Sequence, residues 1–251
     1  MKKIISQIPN FITSLNMVSG LAAIVFAIDG HLAWAGIFIC LAAVFDFLDG
    51  LAARLLKACS EIGKQLDSLA DIISFGVAPG AILFTLLQLS MFGINQPVSE
   101  ISALWYEWLA LFSAFLIPVF GAIRLARFNT APEECAFFRG LPIPANGIFW
   151  ASLGIIFGNP GSNQVLFEII FSTQTLLFLG VFFSAMMVSN LPVFSLKFKT
   201  MGFKDNWFRW LFLALALGLL LFLKFYGLTF CILVYIFLNA LLFLLKIRYK
   251  K

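Results

Sequence analysis

A succession of apolar runs, separated by short polar segments, restricts this chain to very few folds. Eight of these runs could form helices in a membrane. Hydrophobic residues make up 62% of the 251 residues and charged residues only 12%. A soluble domain of this size needs more polar surface than that. The sequence therefore predicts an all-α fold, a polytopic membrane helix bundle with about eight transmembrane helices.

The predicted spans follow one another without an internal repeat or a separate soluble domain. They cover roughly residues 11–28, 31–57, 64–90, 103–122, 144–157, 175–191, 207–223 and 227–245. We expect one membrane domain, 1–251, made of a six-helix core at 1–191 and two additional C-terminal helices at 192–251. Pro79 is expected to kink the third span at 76–80, and 124–141 is expected to be a polar connection.

The basic residues indicate how the chain is oriented, because cytoplasmic loops of membrane proteins are enriched in Lys and Arg. With eight spans, sixteen of the 17 Lys and Arg residues fall on one side of the bilayer, and Lys224 falls on the other. Both termini are therefore expected in the cytoplasm, with the chain in the cell membrane. The net charge of +5 is dispersed among these loops, so it does not indicate a nucleic-acid partner.

Four of the six aspartates lie close together, between positions 46 and 71. Residues three or four apart share a helix face, so Asp46 and Asp49 lie on one face and Asp67 and Asp71 on another. If the two helices turn these faces toward each other, four carboxylates converge and require cations. Oxygen ligands suit Mg²⁺ or Mn²⁺, and a pair of such ions commonly assists displacement at phosphorus.

The length of the second span places its aspartates near one boundary of the membrane. As a helix, about 27 residues extend about 40 Å, which exceeds a hydrocarbon core of about 30 Å, and Asp46 falls about 22 Å along it. The carboxylates thus avoid the midplane, where charge is costly. We expect a cleft at the depth of the lipid headgroups that faces the cytoplasm.

Small residues and an arginine complete a spaced pattern around the aspartates. The pattern D-x2-D-G-x2-A-R-x8-G-x3-D-x3-D is present at Asp46, Asp49, Gly50, Ala53, Arg54, Gly63, Asp67 and Asp71. It resembles the signature of the CDP-alcohol phosphatidyltransferases. The resemblance implies a homodimeric membrane enzyme with a catalytic six-helix core. In this enzyme an alcohol attacks CDP-diacylglycerol and CMP is released.

The same resemblance implies roles for individual residues. Asp46, Asp49 and Asp67 would be metal ligands, and Asp71 would be either a fourth ligand or the general base, which is the family's usual role for the last aspartate. The residues implied to bind CDP-diacylglycerol are Asn10, Thr13, Gly50, Ala53, Arg54, Ser60 and Gly63. Among them, Asn10 and Thr13 resemble the lining of the cytidine pocket, and Arg54 a phosphate contact.

Three further stretches resemble family members whose acceptor is L-serine. These stretches are residues 71–79, 124–129 and 139–144. Serine carries a carboxylate that Arg124, Arg127 or Arg139 could hold, although each arginine could instead anchor the phosphates of membrane lipids. Glycerol phosphate, inositol compounds and aminoalcohols remain alternative acceptors within the family.

A cation transporter is an alternative from another class, because transporters also use carboxylates inside the membrane. It predicts acidic residues distributed across the membrane depth. Here they cluster at one boundary beside Arg54, whose charge would repel a permeating cation.

Overall fold

The computed structural model describes residues 7–58, 60–130, 140–161, 164–191, 203–223 and 225–244. All regular elements in these ranges are helices, so the predicted all-α fold is confirmed. The α-helices are α1 (Ile8–Ile28), α2 (Leu32–Leu55), α3 (Glu61–Ile72), α4 (Ala78–Phe92), α5 (Trp105–Phe112), α6 (Leu116–Thr130), α7 (Ile143–Gly158), α8 (Gln164–Ile170), α9 (Thr173–Val188), α10 (Phe203–Leu223) and α11 (Phe225–Leu244). A π-helical segment, Ile73–Val77, joins α3 to α4, and 3₁₀ turns occupy Val98–Glu100 and Ser113–Phe115.

Several of these helices are long and apolar enough to cross a membrane. Among the described residues there are four such spans, Ile8–Ile28, Leu32–Leu55, Glu61–Phe92 and Trp105–Thr130, and a fifth if α8 and α9, bent by 54°, count as one. Helix α7 is apolar but shorter, as are the apolar parts of α10 and α11. The chain is thus a multi-pass membrane protein, while the number of eight spans stays a prediction.

The fourth span is longer than the sequence predicted. Helix α6 continues to Thr130, so the expected polar connection at 124–141 is wrong over residues 124–130. This stretch contains neither Pro nor Gly, and nothing in its backbone forces the helix to stop. As a result Arg124 lies inside the bundle, with only 8% of its surface exposed.

The expected interruption of the third span takes the form of the π-helical segment. Pro79 lacks the backbone N–H of a regular helix, and the wider π turn lies directly before it. Two buried hydroxyls fasten this region to α1: Ser74 donates to the carbonyl of Asn16 at 3.0 Å, and Thr85 donates to that of Ala27 at 2.8 Å. The bonds hold the helix that carries Asp67 and Asp71 against α1.

Small residues allow α2 to pack closely on α7. A Cβ added at Gly36 would collide with the carbonyl oxygen of Ala151, and one added at Gly154 would lie 2.7 Å from the carbonyl oxygen of Leu32. Real Cβ atoms do not approach backbone that closely. The α2–α7 contact therefore depends on glycine at both positions.

Gly36→Ala is expected to destabilise the protein by about 1–3 kcal/mol, the usual cost of overpacking a tight contact. The added methyl group must push α2 away from the backbone of α7, which cannot move aside like a side chain. Gly218→Ala is the matched control, because a Cβ at that α10 position meets nothing within 4 Å. Thermal unfolding of both variants in detergent measures the difference, and equal unfolding temperatures would contradict the tight packing of α2 on α7.

The two C-terminal helices form a hairpin that joins the bundle through α7. Helices α10 and α11 pack on each other, and α11 packs on α7. The buried hydroxyls of Ser152 on α7 and Thr229 on α11 form a hydrogen bond at 2.6 Å. This bond fixes the register of the hairpin on α7.

Candidate active site

Three carboxylates from two helices meet at one end of the bundle. Asp46 and Asp49 of α2 and Asp67 of α3 each offer an oxygen, and these oxygens lie within 4.8 Å of one another. Asp49 is 5% exposed, and the other two are half-buried. The predicted convergence of the two acidic faces is therefore present for these three residues.

Asp71 lies one turn beyond Asp67 and is not part of the three-carboxylate group. It is half-buried and lies within electrostatic range of all three carboxylates and of Arg124. Its Oδ1 atom is fully buried and has no hydrogen-bond partner among the described residues. Asp71 therefore combines an unpaired carboxylate oxygen with electrostatic interactions both with the acidic group and with a cation.

The start of α3 is fixed by its cap. The hydroxyl of Ser60 accepts a hydrogen bond from the N–H of Gly63 at 3.0 Å, which satisfies one of the free donors of the first turn. Glu61 adds a negative charge to the same turn. The cap sets where α3 begins and hence the height at which Asp67 faces α2.

Ser60→Ala is expected to reduce the free energy of unfolding by about 0.5–2 kcal/mol, because the cap of α3 is lost. Ser60→Asn should retain most of the stability, since asparagine caps helices as well as serine does. Thermal unfolding of the three proteins tests this. If alanine and asparagine lower stability equally, Ser60 does not act as a cap.

A cleft of about 570 Å³ opens beside the carboxylates, between the start of α1, the end of α2 and the start of α3. Six of the seven residues predicted to bind CDP-diacylglycerol line it: Asn10, Thr13, Gly50, Ala53, Ser60 and Gly63. Asp49 and Asp67 line it as well. The cleft therefore connects the acidic group with the positions named by the signature.

The seventh residue, Arg54, is not among the residues that line the cleft. Its side chain is exposed and follows Ala53 in the last turn of α2. Two charged residues that the sequence reasoning did not assign to the site, Glu61 and Lys64, do line the cleft. Lys64 lies three residues before Asp67, and this spacing on one helix face is the signal that could have identified it.

The small residues of the cleft differ in the space around them. A Cβ at Gly50 would meet nothing within 4 Å, so this glycine borders open space. A Cβ at Gly63 would lie 3.0 Å from both the side-chain oxygen of Asn10 and the hydroxyl of Ser60. Gly50 thus leaves room for a ligand, whereas Gly63 lets α3 start close to α1.

Two polar residues of α1 face the acidic group. Thr13 is buried, donates to the carbonyl of Pro9 at 3.0 Å and lies within hydrogen-bonding reach of Asp49. Asn10 is half-buried at the cleft and donates to the side chain of Gln7 at 3.1 Å. Both hold polar atoms at the cleft wall.

The three candidate arginines lie in different environments. Arg124 is buried and close to Asp71. Arg127 is exposed, and its Nη1 donates to the carbonyl of Val188 at 3.2 Å, which ties α6 to the end of α9. Arg139 lies outside the described residues. Of these residues the structure brings Arg124 to the site.

A larger groove, of about 1040 Å³, lies elsewhere on the bundle. It is mostly apolar and runs along the second half of α1 and along α4, where it includes Val25, Ala81 and Phe84. None of the residues of the acidic group lines it. Its size alone does not indicate chemistry, so we assign the candidate active site to the smaller, acidic cleft.

The acidic group suits a divalent metal ion. Three carboxylates offer oxygen ligands at mutual distances that one ion can bridge, and Oδ2 of Asp49 is buried without a hydrogen-bond partner among the described residues. Carboxylates this close repel each other, and a bound cation would offset that repulsion. Carboxylate oxygens are the ligands preferred by hard divalent ions. The site could therefore hold a metal ion.

The sequence is similar to those of known proteins. A family model described as CDP-alcohol phosphatidyltransferase matches residues 6–221. The CDP-diacylglycerol--serine O-phosphatidyltransferase of Mycobacterium leprae is 32% identical over 197 residues, which cover 74% of this chain and 57% of that protein. The Bacillus subtilis protein of the same name is 32% identical over 143 residues, covering 57% of this chain and 72% of that protein.

An archaeal relative carries a related name. The archaetidylserine synthase of Methanothermobacter thermautotrophicus is 36% identical over 151 residues, which cover 59% of this chain and 58% of that protein. The chain thus spans less than two thirds of the length of the Mycobacterium and Methanothermobacter relatives.

Proposed function

The chain belongs to the CDP-alcohol phosphatidyltransferase family, and on that premise we propose that it transfers a phosphatidyl group from CDP-diacylglycerol to the hydroxyl of L-serine. The products would be phosphatidylserine and CMP. The observation that carries the proposal is the cleft in which three carboxylates from two helices adjoin small and polar residues. Serine is favoured as the acceptor by the names of the relatives that the chain resembles.

The cleft has the features needed to bind the donor's nucleotide and pyrophosphate. Gly50 and Ala53 leave space beside the acidic group, and Asn10 and Thr13 offer hydrogen bonds to the cytidine ring. Lys64 adds a cation to the cleft wall, and Arg54 adds one in the adjoining turn of α2. Both suit the phosphate oxygens of the donor.

Asp46, Asp49 and Asp67 are the proposed ligands for Mg²⁺ or Mn²⁺, and Asp71 would complete the set if two ions bind. When bound, such ions neutralise charge on the pyrophosphate and on the departing phosphate.

The reaction is a displacement at the phosphorus of the phosphatidyl group. The serine hydroxyl oxygen attacks this phosphorus, its proton passes to a carboxylate oxygen of Asp71, and the bond from phosphorus to the CMP oxygen breaks. Asp71 suits the role of general base because its Oδ1 makes no hydrogen bond to the described residues. Arg124, beside Asp71, is the proposed partner of the serine carboxylate. Arg127 and Arg139 are the alternative partners of the serine carboxylate.

The proposal includes a location and an assembly. The excess of Lys and Arg on one side of the predicted spans supports a cytoplasmic location for both termini and for the cleft, with the chain in the cell membrane. CDP-diacylglycerol would then enter from the surrounding lipid, and serine from the cytoplasm. We further propose a homodimer, a catalytic core at 1–191 and two additional C-terminal helices within 192–251.

Purified protein in detergent tests the function directly. CMP release from CDP-diacylglycerol should require both serine and a divalent ion, and mass spectrometry should identify phosphatidylserine as the product. Turnover with glycerol phosphate, an inositol compound or an aminoalcohol in place of serine would assign the chain to another acceptor. Metal-ion flux into vesicles without CMP release would contradict the transferase proposal.

A further inference from the structure

Three buried polar side chains, on α6, α7 and α9, have polar atoms without a hydrogen-bond partner among the described residues. Asn146 on α7 is 0% exposed, Ser184 on α9 is 1% exposed, and Arg124 on α6 is also buried. Both amide atoms of Asn146, the hydroxyl of Ser184 and Nε of Arg124 have no partner within the described part of the chain. Groups of this kind are rare in folded proteins and call for an explanation.

Arg124 and Ser184 lie at the same depth on neighbouring helices. Helices α6 and α9 pack together, and the bond from Arg127 to the carbonyl of Val188 joins their ends. Arg124 lies about one turn before Arg127, and Ser184 lies one turn before Val188. The two side chains therefore belong to the same layer of the bundle.

Asn146 enters this layer from α7. On one side of it, the N–H of Leu141 donates to the carbonyl of Met186 at 3.0 Å. On the other side, the rings of Phe149 and Phe183 stack with their centroids 3.9 Å apart. Asn146 lies between these two contacts, and Ser184 lies between their partners on α9.

The layer adjoins the candidate active site. Arg124 is within electrostatic range of Asp71. The first turn of α7 also reaches the end of α3, because side-chain atoms of Ile143 and Ile72 both lie within 3.4 Å of a Cβ placed at Gly121. The unpartnered groups thus adjoin Asp71 through Arg124, whereas Asp49 and Asp67 line the donor cleft.

The chemistry of the layer fits an α-amino acid. A guanidinium can bind a carboxylate, and an amide can donate to a carboxylate with its NH₂ and accept from an ammonium with its oxygen. A hydroxyl can do either. A phosphorylated polyol would bring at least one more negative charge. Arg127, one turn from Arg124, is exposed and already donates to the carbonyl of Val188.

We propose that Asn146 and Ser184, together with Arg124, form the subsite that binds the zwitterionic head of the acceptor amino acid. This inference rests on the proposed function, because it takes Asp71 as the group that receives the acceptor's proton. It adds two specificity-determining residues that the sequence motifs did not indicate. The ammonium and carboxylate groups of the ligand would supply the hydrogen-bond partners that both side chains lack.

Two variants test the subsite in the full-length protein. Asn146→Leu replaces the amide by an apolar group of similar size, and Ser184→Ala removes the hydroxyl. Each should raise the KM for serine by about tenfold or more, the loss expected for a hydrogen bond to a charged group, and leave the KM for CDP-diacylglycerol unchanged. Asn146→Leu should also reduce the preference for serine over ethanolamine, which lacks the carboxylate, and over 3-hydroxypropionate, which lacks the ammonium.

Ser152→Ala is the matched control for these variants. Ser152 is a buried serine on α7 whose hydroxyl is hydrogen-bonded to Thr229, so the loss of this hydroxyl should lower the unfolding temperature without changing the KM for serine.

Equilibrium dialysis of radiolabelled serine in the presence of CMP measures serine binding without turnover. Both subsite variants should bind serine more weakly than the wild-type protein.

The possible outcomes separate the two proposals. If the wild-type protein uses serine and both variants keep its KM and its binding of serine, the subsite is wrong and the proposed function stands. If the wild-type protein neither binds nor uses serine, both proposals fail. Should Asn146→Leu fail to fold, Ser184→Ala alone decides, because the removed hydroxyl makes no hydrogen bond to the described residues.

Discussion

Asp71→Asn is expected to lower kcat for CMP release by about 10²–10⁴-fold, the usual contribution of a general base. Asparagine has nearly the same shape but cannot accept the proton of the attacking hydroxyl. The fold should tolerate the change, because Asp71 lies within range of three other carboxylates and its Oδ1 makes no hydrogen bond to the described residues. Steady-state kinetics and thermal unfolding, measured on the same preparation, separate lost catalysis from lost structure.

Asp29→Asn is the matched control for this experiment. Asp29 lies between α1 and α2 at the other end of these helices, where it is exposed and pairs with His31 at 3.3 Å. Its replacement should leave kcat within about twofold, as expected for a surface site far from the chemistry. An Asp71→Asn enzyme with nearly normal kcat would show that another group accepts the proton.

Gly50→Leu is expected to reduce kcat/KM for CDP-diacylglycerol by about 100-fold or more, the order of loss that follows when reacting groups are displaced by about 1 Å. Gly50 lines the cleft of about 570 Å³, and a Cβ there meets no protein atom within 4 Å. A leucine would therefore extend into space that the donor needs. Leucine is also a better helix former than glycine, so the protein should fold.

Gly218→Leu provides the control for Gly50→Leu. Gly218 on α10 is also a helical glycine with nothing within 4 Å of an added Cβ, but it does not line the cleft. Its replacement should leave the kinetics unchanged. If both leucine variants retain wild-type kcat/KM, the space beside Gly50 does not hold the donor.

The acidic part of the site could be predicted because its information is local. Asp46 and Asp49 are three residues apart on one helix, and helical geometry alone places them on one face. Helix α3 begins shortly after α2 ends, so Asp67 stays close to α2 and its carboxylates. Spacing along the sequence therefore accounts for most of the close approach of these carboxylates, whose oxygens lie within 4.8 Å of one another.

The surroundings of Arg124 could not be predicted in the same way. The charges between 124 and 130 indicated a polar connection, whereas the structure continues the helix and buries Arg124 beside Asp71. A buried charge is stable only with a partner from elsewhere in the fold, and hydropathy along the sequence does not contain that information. Asn146 and Ser184 could not be predicted for the same reason, because the packing register of α7 on α9 brings them to the same depth.

Arg54 shows a different limit of the sequence pattern. The signature places an arginine directly after Ala53, and resemblance assigns it to a phosphate, yet its side chain is exposed and does not line the cleft. A long, flexible side chain can take up its ligand contact when the ligand binds. Its role as a phosphate contact stays a prediction.

The central claim is that carboxylates from α2 and α3 jointly hold divalent ions in the cleft, and Mn²⁺ binding measured by electron paramagnetic resonance tests it most directly. Wild-type protein should bind Mn²⁺ saturably, and Mg²⁺ should compete. Asp49→Asn on α2 and Asp67→Asn on α3 should each weaken binding by about tenfold or more, as expected when a charged partner of a buried site is removed, while Asp29→Asn should bind normally. Unchanged Mn²⁺ affinity in both the Asp49→Asn and Asp67→Asn proteins would contradict the account.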